Sequence, residues 1–273
     1  MSGGPDLYAG VDAGATLTKL ALPDGARCRL EAVPSGHDAR VRALLAEHPV
    51  ARVGVTGGGA ARLAAALREA VRVDEFRAWH AGVVELLPER RERFLLVSIG
   101  TGTSVMLVEG GTVRRLAGTP LGGGTVLGLG AALTGVADFS ALCALAERGD
   151  RARVDLSVAD VYEAGDAPLA SDVMASSFAR LAEPHRRDEP RPADLARSLM
   201  AMVGENVALL AGGLSLVVGV EHVVFGGSTL RGNPILRAAL ADYLGRFGRT
   251  PVCLDEGAFA GALGARRLAG TAG

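Results

Sequence analysis

The chain has 273 residues, 49% apolar and 22% charged, with a formal net charge of −1. That is enough for a sizeable core in one large or two small domains, and the near-neutral balance argues against general affinity for nucleic acid or an acidic membrane surface. Cys28, Cys143 and Cys253 lie far apart and form no CxxC pair, so they outline no disulfide framework, zinc site or iron–sulfur site, and a reducing cytoplasm is expected. The opening segment MSGGPDLYAG has no basic stretch followed by an apolar run and does not read as a signal peptide.

In chain order, YAGVDAGATLTKLAL (8–22) predicts two strands around a glycine-bearing turn, and CRLEAV a third. DARVRALLAEH has helical spacing, with Val41, Leu44 and Leu45 on one side. ARVGVTGGG predicts a strand running into glycines, AARLAAALREA a helix and VRVDEF another strand. The pattern restarts near Phe94. RFLLVSIGTG and SVMLVEGG predict a hairpin that TVRRLAG continues, and TPLGGGTVLGLGAALTG passes from a glycine loop into a helix. DFSALCALAERG predicts an amphipathic helix, followed by a more polar region with a short helix near 158–162 and a charged loop at 186–192. A long helix follows from 193, then HVVFGG as strand, PILRAALADYLGRF as helix, TPVCLD as strand and GAFAGALGARRL as helix. Strands alternating with helices argue for α/β sheets with parallel neighbours. The repeated hairpin start predicts two tandem units, 1–93 and 94–273, whose turns oppose one another across a cleft.

The stretch VALLAGGLSLVVGV (207–220) is shorter than the roughly 20 residues of a membrane span, and charged or polar residues close it on both sides. It reads as a buried core helix, and no membrane partner is expected. The long helix has more apolar residues than one buried face needs. Its small Ala and Gly residues allow close helix approach, so it is predicted to build a homodimer.

Glycine turns admit close approach of backbone N–H groups to an anion, and hydroxyls add donors. The first turn offers Gly14, Ala15, Thr16, Leu17, Thr18 and Lys19, the only lysine in the chain. Asp12, at the preceding strand end, is a hard oxygen ligand suited to Mg²⁺. The second turn, GTGTS, offers Thr101, Gly102, Thr103 and Ser104. Gly123, Gly124 and Thr125 open a helix whose N-terminal amides favour anions. Gly227 and Ser228, in FGGST, form a third strand end against which an adenine or ribose could lie. Each turn alone is most often a plain hairpin; together, in this order, they point to binding of nucleotide phosphate. By its local sequence alone, Glu75 reads as a solvated strand-end residue.

The order DAGAT…K, GTGTS, GTPLGGGTVLGLGAALTG and VVFGGS resembles the acetate/sugar kinase–Hsp70–actin superfamily, and within it the type II pantothenate kinases. The resemblance covers nearly the whole chain. It is most specific at 97–133, at ERGDRARVDLSVADVY (147–162), at ASSF (175–178) and at DEGAFAGALGA (255–265). It implies two actin-like (ribonuclease H-like) α/β units facing an ATP cleft. It also implies ATP- and Mg²⁺-dependent phosphorylation of pantothenate to 4′-phosphopantothenate, the first step of coenzyme A biosynthesis, by a homodimer; the family includes both acyl-CoA-inhibited and insensitive enzymes, so regulation by acyl-CoA or CoA is left open. The segment VDEFRAWHAG then makes Glu75 the catalytic base at a strand end, with Asp74 turned to the other side. Arg115 becomes the substrate-contacting arginine, Ser104 and Thr101 the hydroxyls near pantothenate and phosphate, and Phe139 a ring near adenine or simply core. Ala15 replaces a usual glycine, which threatens to crowd the phosphate path. A sugar or amino-sugar kinase of the same superfamily, or an inactive nucleotide-binding pseudokinase, are the alternatives.

Overall fold

Two five-stranded sheets of the same strand order form the frame. The computed structural model describes residues 7–271 apart from 26, 164, 165, 168 and 184–188, so the first three residues of the predicted charged loop lie outside the described residues. The first unit runs β1 (Tyr8–Ala13), β2 (Leu17–Asp24), β3 (Arg27–Pro34), α1 (Asp38–Ala46), β4 (Arg52–Thr56), α2 (Ala60–Ala65) and β5 (Ala70–Arg72). α3 (Glu75–Leu86) then crosses to the second unit, which opens with β6 (Arg93–Ile99), β7 (Thr103–Glu109) and β8 (Thr112–Thr119). An excursion follows: α4 (Gly123–Thr134), α5 (Phe139–Glu147), β9 (Leu156–Ser157), α6 (Val158–Val161), β10 (Met174–Ser176) and the long α7 (Pro192–Val218). The chain closes with β11 (His222–Gly226), α8 (Pro234–Arg246), β12 (Thr250–Cys253) and α9 (Ala260–Ala269).

The sheets are ordered β3-β2-β1-β4-β5 and β8-β7-β6-β11-β12. In each, an antiparallel three-strand meander is extended by two parallel strands. β6 reads as a continuous apolar run because both of its faces are covered. Leu95, Val97 and Ile99 pack with α4, α5, α7 and α8, whereas Phe94 and Leu96 pack with Trp79 and Val83 of α3.

The last helix of each unit lies on the other unit's side. α9, which ends the second unit, packs on β1 and β4 of the first sheet and crosses α3. Glycine permits these contacts. A Cβ on Gly10 would sit 1.9 Å from the Ala262 carbonyl oxygen, and one on Gly54 2.0 Å from that of Ala265. At the α3–α9 crossing, Gly82 would meet the Ala260 carbonyl at 1.8 Å and Gly264 that of Ala78 at 1.7 Å.

Several elements differ from the sequence reading. The helix expected over AARLAAALREA shrinks to α2, because Glu69 takes a φ of 51° and turns the chain so that β5 can pair with β4. The strand expected through VDEF ends at Arg72. Asp74 instead caps α3, its carboxylate accepting the Arg77 amide at 2.9 Å, so Glu75 is the first residue of a helix and not the end of a strand. α7 is framed by Pro192 in its first turn and Gly219, φ 65°, after its end. It is long and apolar enough to cross a membrane, yet half of that span is buried inside this fold. Two of its small residues serve internal packing. Gly204 lies against Ala239, and Gly212 against the Phe247 ring, where a Cβ would come within 2.6 Å.

Gly264→Ala should lower stability by roughly 3 kcal/mol, because the clash is with helix backbone and not with a side chain that can swing away. Gly245→Ala, in α8 with nothing within 4 Å of the added carbon, should be neutral or stabilising by up to ~1 kcal/mol. Thermal or denaturant unfolding of the two variants checks the contrast.

Candidate active site

The hairpin tips of the two units meet across a cavity of about 660 Å³. Thr16 at the β1–β2 tip and Thr101 at the β6–β7 tip share a hydrogen bond between their Oγ1 atoms at 2.9 Å. Gly14 is held from behind by the Ser35 hydroxyl, which donates to its carbonyl at 2.7 Å. A Cβ on Gly14 would come within 2.8 Å of the Leu17 carbonyl oxygen. Ala15 does not have a positive φ, so its methyl group brings no backbone strain to the tip.

The β1–β2 register sets Asp12 opposite Lys19. The Lys19 Nζ stands 3.7 Å from Asp12 Oδ2, and both side chains are nearly buried. Burial pushes the Asp12 carboxyl up from its ordinary value, and Lys19 partly offsets this. Glu75 also lines the cavity. Its carboxyl is pushed up by partial burial and then by the negative charges of Asp12 and Asp74, with Lys19 pulling the other way. Among the described residues no three His, Cys, Asp or Glu side chains cluster as a metal site. A divalent cation would therefore take Asp12 as its carboxylate and complete its shell with phosphate and water oxygens, which suits Mg²⁺. The donor chemistry fits: a buried carboxylate whose charge is only partly balanced gains from a further cation.

The second tip is tied to the start of α4. Gly123 N donates to the Gly100 carbonyl at 2.8 Å and Gly124 N to that of Thr101 at 2.9 Å. The Thr229 hydroxyl donates to the same Gly100 oxygen at 2.9 Å, and Thr103 donates to the Leu121 carbonyl at 2.7 Å. Those two helix-start amides are thus engaged by the hairpin. What Gly123 and Gly124 bring to the cavity is close approach: a Cβ on Gly124 would lie 2.8 Å from the Thr101 methyl.

Of the residues singled out from sequence, the cavity is lined by Asp12, Gly14, Ala15, Thr16, Leu17 and Lys19 from the first unit. Glu75, Thr101, Gly102, Ser104, Gly123, Gly124, Phe139 and Ser228 complete the set. Four others do not line it. Thr18 alternates with Lys19 and is buried on the opposite face of β2. The Thr125 hydroxyl donates to the Pro120 carbonyl at 3.1 Å. Gly227, φ 115°, is pressed against Ile99, whose carbonyl oxygen a Cβ would reach at 2.2 Å. Arg115 lies on exposed β8. A bulge shifts the β7–β8 register so that Arg115 pairs with Met106 and Gly118 with Ser104. Arg115 and Gly118 therefore share the α3-facing side of the sheet with Ser104, and Arg114, paired with Leu107, takes the other side. The Arg115 guanidinium occupies the space above Gly118, whose Cβ would lie 2.2 Å from Nη2.

Sequence reasoning passed over Gly57, Gly58, Trp79, Ser98, Asp138 and Thr229, all of which line the cavity. The TGGG after β4 repeats the strand-into-glycine signal of the other turns and could have been included. Gly57, φ 87°, leaves room for Asp12, whose Oδ1 a Cβ would approach to 2.6 Å. The ERGDRARVD segment serves structure. The buried Asp155 carboxylate accepts from Arg151 Nε and the Phe178 amide, both at 2.8 Å, and from the Ser198 hydroxyl. Arg151 also pairs with Glu205 of α7.

The Fumble family model matches residues 84–267. The type II pantothenate kinase of Staphylococcus haemolyticus is 33% identical over 264 residues, covering 95% of this chain and 98% of that enzyme. The type II pantothenate kinase of Oceanobacillus iheyensis is 31% identical over 262 residues, covering 94% and 97%. Among solved structures, the activator of 2-hydroxyisocaproyl-CoA dehydratase from Clostridium difficile with bound ADPNP superposes with a TM-score of 0.66 at 22% identity, over 96% of this chain and 93% of that one. A ROK family glucokinase from Streptomyces griseus with glucose and AMPPNP gives 0.61 at 15% identity, over 97% and 99%. These two share the actin-like fold with this chain, which has two mixed sheets flanked by helices. By its sequence similarity across nearly its full length, the chain belongs to the type II pantothenate kinase family.

Proposed function

We infer that the protein transfers the γ-phosphoryl group of ATP to the 4′-hydroxyl of pantothenate, the first step toward coenzyme A. The observation that carries this reading is that Glu75, Asp12 and Lys19 line one cavity with both hairpin tips, in a chain that aligns end to end with type II pantothenate kinases. Phosphoryl transfer asks the protein mainly for positioning and charge. The tips at 14–17 and 101–102 are placed to flank the phosphates, and Lys19 faces the transferred group. Asp12 would hold Mg²⁺, which would supply charge neutralisation on the phosphate oxygens. Glu75 receives the proton of the attacking alcohol. Ser104 orients the acceptor, and Arg115, on the same side of the sheet, is suited to a carboxylate through its planar fork. Phe139 lines the cavity beside Asp138 and offers a ring to the base of the nucleotide. Three free cysteines suit a reducing cytoplasm.

A homodimer fits the outer face of α7. Leu209, Leu216 and Val217 are 46, 52 and 82% exposed, and Gly213 beside them has nothing within 4 Å of its missing Cβ. Leu129 and Leu133 of α4, which packs on α7, are exposed as well. Light scattering at micromolar concentration should give a dimer mass, and the pair Leu209→Glu with Val217→Glu should shift it toward monomer.

Coupled ADP release in the presence of pantothenate, pantetheine or N-acetylglucosamine tests the acceptor directly. Pantothenate should give the highest kcat/KM; turnover of the sugar alone would end the reading. Glu75→Gln should lower kcat by about 10²-fold or more while nucleotide affinity is retained. Asp74→Asn should keep near-normal turnover, since asparagine also caps a helix.

The pH dependence follows from the raised Glu75 carboxyl. The base must be ionised to accept a proton, so activity is lost as pH falls through its folded-state pKa. The acid limb of kcat/KM should therefore sit above the ordinary glutamate value. Removing the Asp74 charge lowers that pKa, so Asp74→Asn should move the limb to lower pH. A pH profile of both proteins checks the direction.

A further inference from the structure

We propose that Trp79 recognises the two methyl groups next to the reacting carbon of pantothenate and so sets selectivity among acceptor alcohols. This rests on the reading of pantothenate as acceptor. Its 4′-hydroxyl sits on a CH₂ bonded to a quaternary carbon that carries two methyls. A site that holds Glu75 against that hydroxyl must offer apolar surface immediately beside it.

Glu75 and Trp79 are i and i+4 on α3, so they are neighbours on one helix face, their Cβ atoms about 5–6 Å apart. Both line the cavity, and Trp79 is the only apolar side chain that α3, β6 and β7 contribute to its wall. Apart from Glu75, the other side chains there are hydroxylic, those of Ser98, Thr103 and Ser104, and Ser98 and Ser104 are directly paired across β6 and β7. They suit the secondary hydroxyl and amide of the same acceptor. The indole is 6% exposed, so it presents an edge and is otherwise fixed by Phe94, Leu96 and Met106. Gly226, the parallel partner of Ser98, leaves room for it: a Cβ there would lie 3.0 Å from Cζ3. A rigid apolar edge one helical turn from the base is a fixed gauge for what is attached next to the reacting carbinol. Because the contact is with substrate and not with the transferred group, its loss should appear mainly in KM.

The test compares pantothenate with its analogue lacking both methyls. Wild-type enzyme should prefer pantothenate by about tenfold or more in kcat/KM, the usual scale for missing methyl groups in an apolar pocket. Trp79→Ala should reduce that preference to about twofold, chiefly by raising KM for pantothenate, and Trp79→Leu should restore most of it. An unchanged preference in Trp79→Ala overturns the proposal and leaves pantothenate phosphorylation standing. Should the alanine variant fail to fold, Trp79→Leu and the emission of the wild-type protein decide. Trp79 is the chain's single tryptophan. Saturating pantothenate should shift its fluorescence more than the analogue at equal occupancy. Equal shifts, or none in an enzyme that turns pantothenate over, overturn the proposal. A wild-type enzyme inactive on pantothenate overturns it together with the functional reading.

Discussion

The architecture depends on one helix crossing. α3 and α9 approach so closely that Gly82 and Gly264 each face a carbonyl of the opposite helix, with no room for a methyl group at either position. α9 also lies directly on Gly10 and Gly54 of the first sheet. Backbone against backbone leaves no flexible side chain to absorb an error, so the two sheets are held at a defined spacing. The cavity exists because of that spacing. Gly261 of α9 lies above the Asp12 carboxylate, and Glu75 and Trp79 come from the start of α3. The crossing that joins the units therefore also presents Glu75, the proposed base, to the cavity.

Charge inside the cavity is arranged as an imbalance. Asp12 and Glu75 are both partly or wholly removed from water; Lys19 pairs with Asp12 and acts on Glu75 only as a weaker, opposing charge. Two carboxylates and one ammonium leave a net negative site, which disfavours ionisation of Glu75 and favours a cation beside Asp12. On the proposed reading, a bound metal–nucleotide complex would change that balance beside Glu75. The hydroxyls of Thr16 and Thr101 bridge the tips directly, so the cavity is bounded by both units at this point.

The excursion between β8 and β11 has a different task. Arg151, Asp155, Ser198 and Glu205 form a largely buried ionic and hydrogen-bonded cluster that pins the segment after α5 onto α7. Phe178, at a φ of 61°, keeps its amide on Asp155 in the same cluster. Removing Arg151 would leave the Asp155 and Glu205 carboxylates without their cation. None of these residues lines the cavity. The long apolar α7 is thereby fixed on one side, and its outer face carries Leu209 and Val217 into solvent.

Residues close in sequence were the legible ones. The strand–glycine–strand pattern determined both hairpins and their tips, because a hairpin is a local property of alternation and turn length. The repetition of that pattern announced two units, and the apolar run 207–220 announced a core helix. Asp74 and Glu75 were misplaced on a strand, because VRV favours strand locally, whereas a capping aspartate followed by Trp79, Gly82 and Val83 makes a helix only once α9 is present to pack against. Gly123 and Gly124 carried the signal of an anion-binding helix start, and long-range contact with Gly100 and Thr101 took their amides. Trp79, Ser98 and Thr229 gave no signal at all. They enter the site from three separated segments, and only the packing of α3 and β11 against β6 brings them to one wall. The sequence by itself determined which turns the chain makes and which residue types stand at them; which faces meet was decided by the tertiary structure, because close backbone contact across many intervening residues is not encoded in any local period.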